Sequence, residues 1–494
     1  MSIFARKSIA ELQEEAGKGT LRRTLGPINL TTLGIGSVIG TGIFVLTGTA
    51  ASQHAGPSLV ISMVIAALAC AFAGLCYAEL ASMIPVAGSA YTYAYATAGE
   101  IFAWIIGWDL ILEYALSTAT VAVGWSGYFV SFMHDLGIDV PARLTASPEV
   151  MVQTADGAVR GLFNLPAALI VLAVAALLTL GIRESANTNT ALVVLKVAVL
   201  IVFVVAGFSY VQRDNLTPFI PPNTGEFGAF GWSGVLRGAA IMFFAYVGFD
   251  AVSTAAQEAK NPQRDLPIGI LGSLAICTLI YIAVALVLIG IVPYGRLNVP
   301  DPLAVGIDAT GLTWLSPVIK VSALFGLFST MLVTLLGQTR IFFTMSRDRL
   351  LPDVFGRVHP RWRTPHVSTA ITGAVIALAA GVLPIGVLSQ LVSMGTLLAF
   401  VLVCAGVVIL RRTRPDLERP FRTPGMPWVP AIGAAACLLQ MAVLPAATWA
   451  RLAVWLGLGF LIYFLYGRRR TRDARLARGA ADLPEPSPSA PLAP

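Results

Sequence analysis

The stretch GIGSVIGTGIFVLTG, residues 34–48, decides how this chain is interpreted, because it places glycines at 34, 36, 40 and 42 inside the first apolar segment. Each glycine weakens a helix and lets the backbone bend. Lipid cannot satisfy the N–H and C=O groups that a bend frees, so a broken helix at membrane depth exposes them to a cavity or a ligand. The sequence therefore predicts a substrate-binding break in the first segment.

The composition indicates a polytopic membrane protein. Hydrophobic residues make up 56% of the 494 residues and charged residues only 12%, which is more apolar than one soluble core could hide. The first apolar run follows a charged leader and lacks the cleavage pattern of a signal peptide. Runs long enough to cross a bilayer, about 20 residues each, recur about twelve times, near residues 28–50, 57–78, 99–131, 164–182, 190–210, 232–256, 267–292, 315–344, 366–384, 388–410, 428–447 and 449–467.

Arginine and lysine are concentrated in alternate loops. One side of the predicted membrane holds the cations of the leader, of residues 347–363 and 411–422, and of the tail GRRRTRDARLAR, whereas the other side holds only scattered cations. The positive-inside rule then predicts that both termini are cytoplasmic, in agreement with an even number of crossings. The net charge of +7 therefore indicates membrane topology and not nucleic-acid binding.

Three further classes of chemistry lack a signature in the sequence. The five cysteines lie in apolar runs without CxxC or Cys/His spacing, so neither a disulfide framework nor a metal site is predicted. No GxxxxGK[ST] motif occurs, which argues against ATP hydrolysis. The four histidines fall in predicted loops or at the ends of runs, so an integral-membrane enzyme is a weak alternative and no cofactor is expected.

A second interruption lies in the sixth apolar run. Small and aromatic residues surround Ala245, Tyr246, Val247 and Gly248, and the acid Asp250 follows them. Interrupted runs at positions one and six are what an inverted repeat of five spans produces. The N-terminal ends of half-helices favour anions and unwound carbonyls favour cations. A zwitterion that carries a carboxylate and an ammonium would fit both.

Five strings along the chain resemble the cationic amino acid transporter branch of the amino acid–polyamine–organocation superfamily. They are GIGSVIGTGIFVLTG, YAELASMIPVAGSAYTYAYATAGE, WDLILEYAL, FFAYVGFDAVSTAAQEAKNPQRDLPIGI and GQTRIFFTMSRDRLLP. The resemblance implies an all-α leucine-transporter fold of about twelve transmembrane helices, with helices 1 and 6 discontinuous. It also implies an uptake permease, since bacterial members of this branch are proton-coupled amino acid symporters and several prefer neutral amino acids.

The same resemblance divides the chain into five parts. Residues 1–26 would form a cytoplasmic segment, 27–210 the first five-helix repeat, 231–411 the second, inverted repeat, and 427–467 two additional helices. Residues 468–494 would be a basic tail that becomes disordered, because its end is rich in proline, serine and alanine.

The resemblance also implies the substrate contacts. The carboxylate would meet Gly40, Thr41 and Gly42, although close packing of small residues explains some of these glycines equally well. The substrate's ammonium would bind backbone carbonyls, and its side chain would contact an apolar half of the cavity. The aromatic residues there either form a lid or serve only in packing. The expected carbonyls are those of Ile39, Phe244, Ala245 and Val247, the candidate lid residues are Phe244 and Tyr246, and Leu327 would limit the depth of the pocket.

Acids within the apolar runs are candidates for proton coupling, since charge is costly at membrane depth. Asp109 and Glu113 are spaced i, i+4 and would share a helix face, although Asp109 could instead lie near the membrane interface. Asp250 either couples protons or anchors the second break. Two further acids, Glu79 and Glu258, could belong to an inner gate with an arginine, for which Arg264, Arg340 and Arg347 are candidates.

Lys196 is the only cation well inside the fifth run. It could snorkel back toward Asn187 and Asn189. The resemblance implies instead that it occupies a cation position between free carbonyls of residues 34–37 and the hydroxyls of Ser329 and Thr330, and that its protonation controls the first helix. The other lysine in an apolar run, Lys320, is expected near the outer end of its run, within reach of water.

These observations predict a cell-membrane symporter that couples protons to a small or medium neutral L-amino acid. Its expected partners are therefore the amino acid, protons and the lipid bilayer. The alternatives are a transporter or exchanger of cationic amino acids or polyamines, and, more distantly, a channel or a non-transporting receptor on the same scaffold. Asp250 and Glu113 are the acids that could favour a cationic substrate.

Overall fold

The computed structural model describes residues 24–84, 89–154, 157–181, 186–362 and 364–470. The predicted leader lies almost wholly outside these residues, as does the tail beyond residue 470. The described chain is predominantly helical and has one short hairpin, in which β1 (Met151–Thr154) pairs antiparallel with β2 (Gly157–Arg160). The hairpin lies in the longest hydrophilic connection of the apolar region.

Fourteen α-helices of seven residues or more occur in the described ranges. They are α1 (Pro27–Val38), α2 (Leu59–Met83), α3 (Ser89–Thr97), α4 (Glu100–Asp135), α5 (Leu165–Thr179), α6 (Ala186–Phe208), α7 (Gly231–Met242), α8 (Pro262–Ile291), α9 (Pro302–Asp308), α10 (Leu315–Arg347), α11 (His366–Val382), α12 (Ile385–Thr413), α13 (Trp428–Ala442) and α14 (Ala446–Ile462).

The starts of these helices follow from local sequence. Proline occupies the first turn of α1, α5, α8 and α9, where its missing N–H costs nothing. The side chain of Asn164 caps α5 by accepting the N–H of Ala167. Gly99, with a φ of 103°, supplies the turn from α3 into α4 that a residue with a Cβ would strain to adopt.

Eight stretches of the described chain are long and apolar enough to cross a membrane, and three shorter apolar helices, α5, α11 and α13, accompany them. One of the eight, Gly42–Met83, contains both the second half of the first predicted run and all of the second. The prediction of a polytopic all-α membrane protein is therefore confirmed, and the apolar helices lie where the hydrophobic runs indicate.

The long helix α4 lies at the centre of the packing and contacts both α10 and α12, while α8 packs against α1 and α2. Small residues allow the close approach that packing in lipid requires. Gly107 of α4 lies against Met345, and Gly337 of α10 lies against the ring of Tyr114. The region around the first predicted break is thus enclosed by α4, α8 and α10.

The chain is interrupted at both predicted places. After α1 ends at Val38, a π-helical turn covers Gly42–Leu46, and short helical turns continue the chain into α2. After α7 ends at Met242, a 3-10 turn covers Phe243–Tyr246 before a single α-helical turn at Ala251–Thr254. Val247 has a ψ of 133°, which is extended and not helical.

Candidate functional site

The two breaks lie side by side because glycine lets their backbones meet. A Cβ placed on Gly42 would lie 2.3 Å from the Cα of Ala245, so no other residue fits there without movement. Gly248 has a φ of 117°, and a Cβ on it would lie 2.9 Å from the carbonyl oxygen of Ser37. The close approach therefore depends on Gly42 and Gly248, and it brings the ends of α1 and α7 into one site.

Side chains from neighbouring helices satisfy the carbonyls that α1 loses at its break. Lys196 Nζ of α6 donates to the carbonyls of Gly36 (3.0 Å) and Ile39 (3.1 Å). The hydroxyl of Tyr281, on α8, donates to the carbonyl of Val38 at 2.8 Å. Because these acceptors would be costly if unpaired at this depth, the break is stabilised by residues far away in sequence.

The ammonium of Lys196 is fully buried, and its third bond is to Thr330 Oγ1 at 2.9 Å. Its alkyl chain runs against α10, where a Cβ on Gly326 would lie 3.0 Å from Lys196 Cγ. Snorkelling toward residues 187 and 189 is therefore wrong. Ser329, the other expected hydroxyl, is buried and forms no hydrogen bond within the described part of the chain.

The first break also presents polar groups that the described residues leave unpaired. The hydroxyl of Thr41 is buried and has no partner among them. It faces α4 at Gly124, where a Cβ would lie 3.0 Å from Thr41 Oγ1. Gly40, whose N–H forms no backbone hydrogen bond in the described ranges, contacts the Thr330 side chain. This side of the break can donate hydrogen bonds to an anion.

The second break offers acceptors. The carbonyl of Phe244 already accepts the N–H of Val247 at 3.2 Å. The carbonyls of Ala245 and Val247 accept no hydrogen bond from the described residues. Of the four carbonyls expected to bind an ammonium, those of Ile39 and Phe244 therefore already have donors, and those of Ala245 and Val247 do not.

The aromatic residues of the second break are held in place by packing and do not form a mobile lid. Tyr246 is fully buried, donates its hydroxyl to the carbonyl of Met63 at 3.2 Å and packs against the ring of Tyr281. These contacts favour the packing alternative for Tyr246. Phe244 is 5% exposed, and Leu327 of α10 is fully buried one residue after the glycine that contacts Lys196.

Three buried acids lie within range of one another's charge, two on α4 and one directly after the second break. Asp109, Glu113 and Asp250 are each no more than 2% exposed, and Glu113 lies close to both of the others and to Thr396 of α12. The carboxylate of Asp109 rests against Gly395 and has no hydrogen-bond partner within the described ranges. Asp109 is thus buried among helices, which contradicts a solvated position at the interface.

Glu79 is not paired with any of the arginines proposed for an inner gate. Its carboxylate accepts two hydrogen bonds from Arg411, at 2.9 and 2.6 Å, and one from the N–H of Thr423 at 2.8 Å. A second arginine, Arg419, lies 3.4 Å away. Glu79 therefore fastens the end of α2 to the end of α12 and the loop beyond it. No feature of the sequence indicates these partners, which lie more than 330 residues away.

Lys320 lies near the start of α10, at the expected end of its run, but it is buried, so the expectation that it reaches water is wrong. It is 4% exposed and forms an ion pair with Asp135 at 2.7 Å. The pair joins the start of α10 to the end of α4, at the membrane face opposite to the arginine-rich loops.

Comparisons with known proteins show the family of the chain. A family model described as amino acid permease matches residues 25–465. The chain is 47% identical over 476 residues to the branched-chain amino acid permease BcaP of Bacillus subtilis (strain 168), covering 95% of this chain and 99% of the relative. It is 46% identical over 470 residues to a methylthioribose transporter of the same organism, with the same coverage.

Cationic amino acid transporters are more distant relatives, which confirms the resemblance inferred from the five strings. The vacuolar cationic amino acid transporter 4 of Arabidopsis thaliana is 38% identical over 418 residues, covering 84% of this chain and 68% of the relative. The family and these relatives are transporters and not enzymes. The chain belongs to the amino acid permease family, and it is a multi-pass membrane transporter.

Proposed function

We propose that this permease is a proton-coupled symporter that takes up a small or medium neutral L-amino acid by alternating access. The observation that carries the proposal is the buried Lys196 ammonium, which binds two carbonyls of the broken α1 and a hydroxyl of α10. A titratable group in this place links the protonation state of the protein to the shape of its substrate site.

The helices support the twelve-span arrangement of the leucine-transporter fold. If Gly42–Met83 is divided at the turn around Gly56, the eight long stretches and three shorter helices give twelve crossings. The first repeat would then comprise residues 27–210, the second 231–411, and the additional helices 427–467. Both termini would be cytoplasmic, as the concentration of arginine in alternate loops predicts.

The substrate would lie between the two breaks. Its carboxylate would accept hydrogen bonds from the Thr41 hydroxyl and from backbone N–H groups of Gly40 and Gly42, where the helical dipole also favours negative charge. Its ammonium would donate to the free carbonyls of Ala245 and Val247. The carbonyl of Ile39 would act indirectly, because Lys196 and Thr330 already donate to it.

The side chain of the substrate would meet apolar groups. Phe244 and Leu327 are candidates to line this part of the site, and neither can form an ion pair with a charged side chain. The relatives named as branched-chain amino acid permeases agree with a neutral, aliphatic substrate. Asp250, Glu113 and Asp109 are buried within range of one another's charge, so we infer that Asp250 and Glu113 exchange protons more readily than they bind a cationic substrate.

The chemistry of an amine explains how Lys196 could couple protons to transport. A protonated ammonium has three N–H donors, and three acceptors surround it here. After deprotonation the nitrogen has two donors and a lone pair, so one of the three oxygens faces a lone pair instead of a hydrogen. Where that oxygen is a carbonyl, the contact is repulsive and would loosen α1 toward release; the Thr330 hydroxyl could donate to the lone pair only by giving up its bond to Ile39 or Gly326. Ser329, Glu113 and Asp250 are the proposed additional groups in the proton path.

Two measurements on purified protein test the proposal. Thermal unfolding in the presence of each of the twenty amino acids and of methylthioribose ranks the ligands, since a ligand that binds only the folded state raises its apparent stability. Uptake of the best ligand into vesicles, with and without an inward proton gradient, then tests coupling. Gradient-driven accumulation supports symport. Uptake that needs a substrate inside the vesicle and ignores the gradient would identify an exchanger, and methylthioribose as the sole ligand would refute the amino acid assignment.

A further inference from the structure

A cavity of about 640 Å³ lies outside the substrate site, at the start of α8. It opens between the first turns of this helix and the loop that follows α12. Pro267, Leu271, Pro420 and Phe421 form apolar walls, and Arg264 lies at its edge. None of the cavity's lining residues belongs to the two breaks, so the cavity is separate from the proposed substrate site.

The polar groups of the cavity suit a phosphate ester. Arg264 is exposed, and its guanidinium forms no ion pair or hydrogen bond with the described part of the chain, its backbone N–H alone donating to the carbonyl of Asn261. The adjacent acid, Asp265, is 3% exposed and turned inward, where it accepts the N–H of Asn261 at 3.1 Å. Arginine binds phosphate with a planar fork of N–H donors. Pro267 has no N–H, so it leaves the carbonyl of Gln263 without its helical donor and able to accept a hydroxyl.

An apolar path leads from the cavity along α8. Ile268, Ile276, Leu279 and Leu286 are between 37% and 71% exposed. Their spacing of eight, three and seven residues keeps them on the same face of a helix with 3.6 residues per turn, and Arg264 shares that face. In a membrane-spanning helix an exposed apolar face contacts lipid, so an acyl chain could lie along it from a headgroup held in the cavity.

We propose that this cavity binds an anionic phospholipid with a single phosphate, with Arg264 holding the phosphate and Ile268 and Leu271 contacting the acyl chain. Charge favours this occupant, because the cationic Arg264 lines the cavity and a second exposed cation, Arg422, directly follows the lining residue Phe421 in the chain. The cavity also lies on the arginine-rich side of the protein. If that side is cytoplasmic, as proposed above, it faces the leaflet in which anionic lipids attract basic residues.

Native mass spectrometry of the delipidated protein tests the site with phosphatidylglycerol and phosphatidylcholine as probes. We expect phosphatidylglycerol to remain bound at collision energies that remove phosphatidylcholine. Arg264→Gln should reduce the bound fraction at least fivefold. Ile268→Trp, which keeps the arginine but obstructs the apolar path, should do the same. Arg412→Gln is the matched control, since Arg412 is also exposed on the same side but does not line the cavity.

Three results would overturn the proposal. Equal retention of the two lipids would show that the headgroup charge is not recognised. An equal loss in Arg412→Gln would show that only the overall surface charge matters. Displacement of phosphatidylglycerol by equimolar glycerol 1-phosphate would identify an anion site with no role for the acyl chain. A folded Arg264→Gln protein, checked by its unchanged thermal response to the amino acid substrate, makes each of these results interpretable.

Discussion

Replacement of Lys196 by methionine tests the proposed coupling most directly, because methionine retains the unbranched, flexible stem of the side chain but lacks the terminal nitrogen and its three donors. The carbonyl of Gly36 loses its donor altogether, whereas that of Ile39 keeps a bond from Thr330 at 3.3 Å. An unpaired buried carbonyl costs about 1–3 kcal/mol, and a charge-assisted hydrogen bond is worth about 1.5–3 kcal/mol. The two figures overlap, since the unpaired carbonyl is the acceptor of the lost bond, so we expect the substrate-competent arrangement of α1 to lose less than their sum, about 2–4 kcal/mol.

If binding requires this arrangement, that loss corresponds to a decrease in substrate affinity of about 30- to 700-fold at 1.4 kcal/mol per factor of ten. Vesicles containing Lys196→Met should also fail to concentrate substrate when a proton gradient is applied. Lys320→Met is the matched control, since Lys320 is likewise buried but pairs with Asp135 away from the breaks. Accumulation by Lys196→Met at the wild-type level would refute the mechanism and leave Glu113 or Asp250 as the proton carrier.

Three other substitutions test separate parts of the structure. Thr41→Val should weaken substrate binding by about 1–3 kcal/mol, because a buried partner of the carboxylate is lost; unchanged affinity by calorimetry would remove Thr41 from the site. Leu327→Ser should admit longer substrates, so an unaltered ligand ranking in thermal unfolding would mean that Leu327 does not limit the pocket. Glu79→Gln should lower the free energy of unfolding by about 3–5 kcal/mol, since it leaves the Arg411 charge without its buried partner. Denaturation in detergent should show this loss, whereas a loss of transport with unchanged stability would favour a gating role for Glu79.

The sequence was a good guide to the positions of the helices and the breaks. Glycine at residues 40 and 42 indicates where α1 must bend, and the crowded segment after Met242 indicates the second bend. These signals are local, because they depend on which conformations one stretch of backbone can adopt. The resemblance added Lys196 and its neighbours, and the structure places the lysine against Gly36 and Thr330.

The contacts between distant helices could not be predicted from the sequence. A helix that is apolar on all sides has no pattern that tells which face meets protein and which meets lipid. The bond from Tyr281 to Val38 joins residues 243 positions apart, and nothing in either segment indicates the other. For the same reason, the burial of Asp109 against Gly395 and of Lys320 beside Asp135 became visible only in the folded chain.

Because side chains from other helices satisfy the carbonyls at the end of α1, experiments that divide or recombine such proteins must keep these helices together. Tyr281 and Thr330, which satisfy the carbonyls at its end, lie in the proposed second repeat, while α1 itself lies in the first. In a fragment that stops after α6, the carbonyls at the end of α1 would therefore lack the hydrogen bonds that Tyr281 and Thr330 donate. Chimeras between relatives should exchange α1 together with these two positions, because the first repeat alone does not contain all the donors that its own carbonyls need.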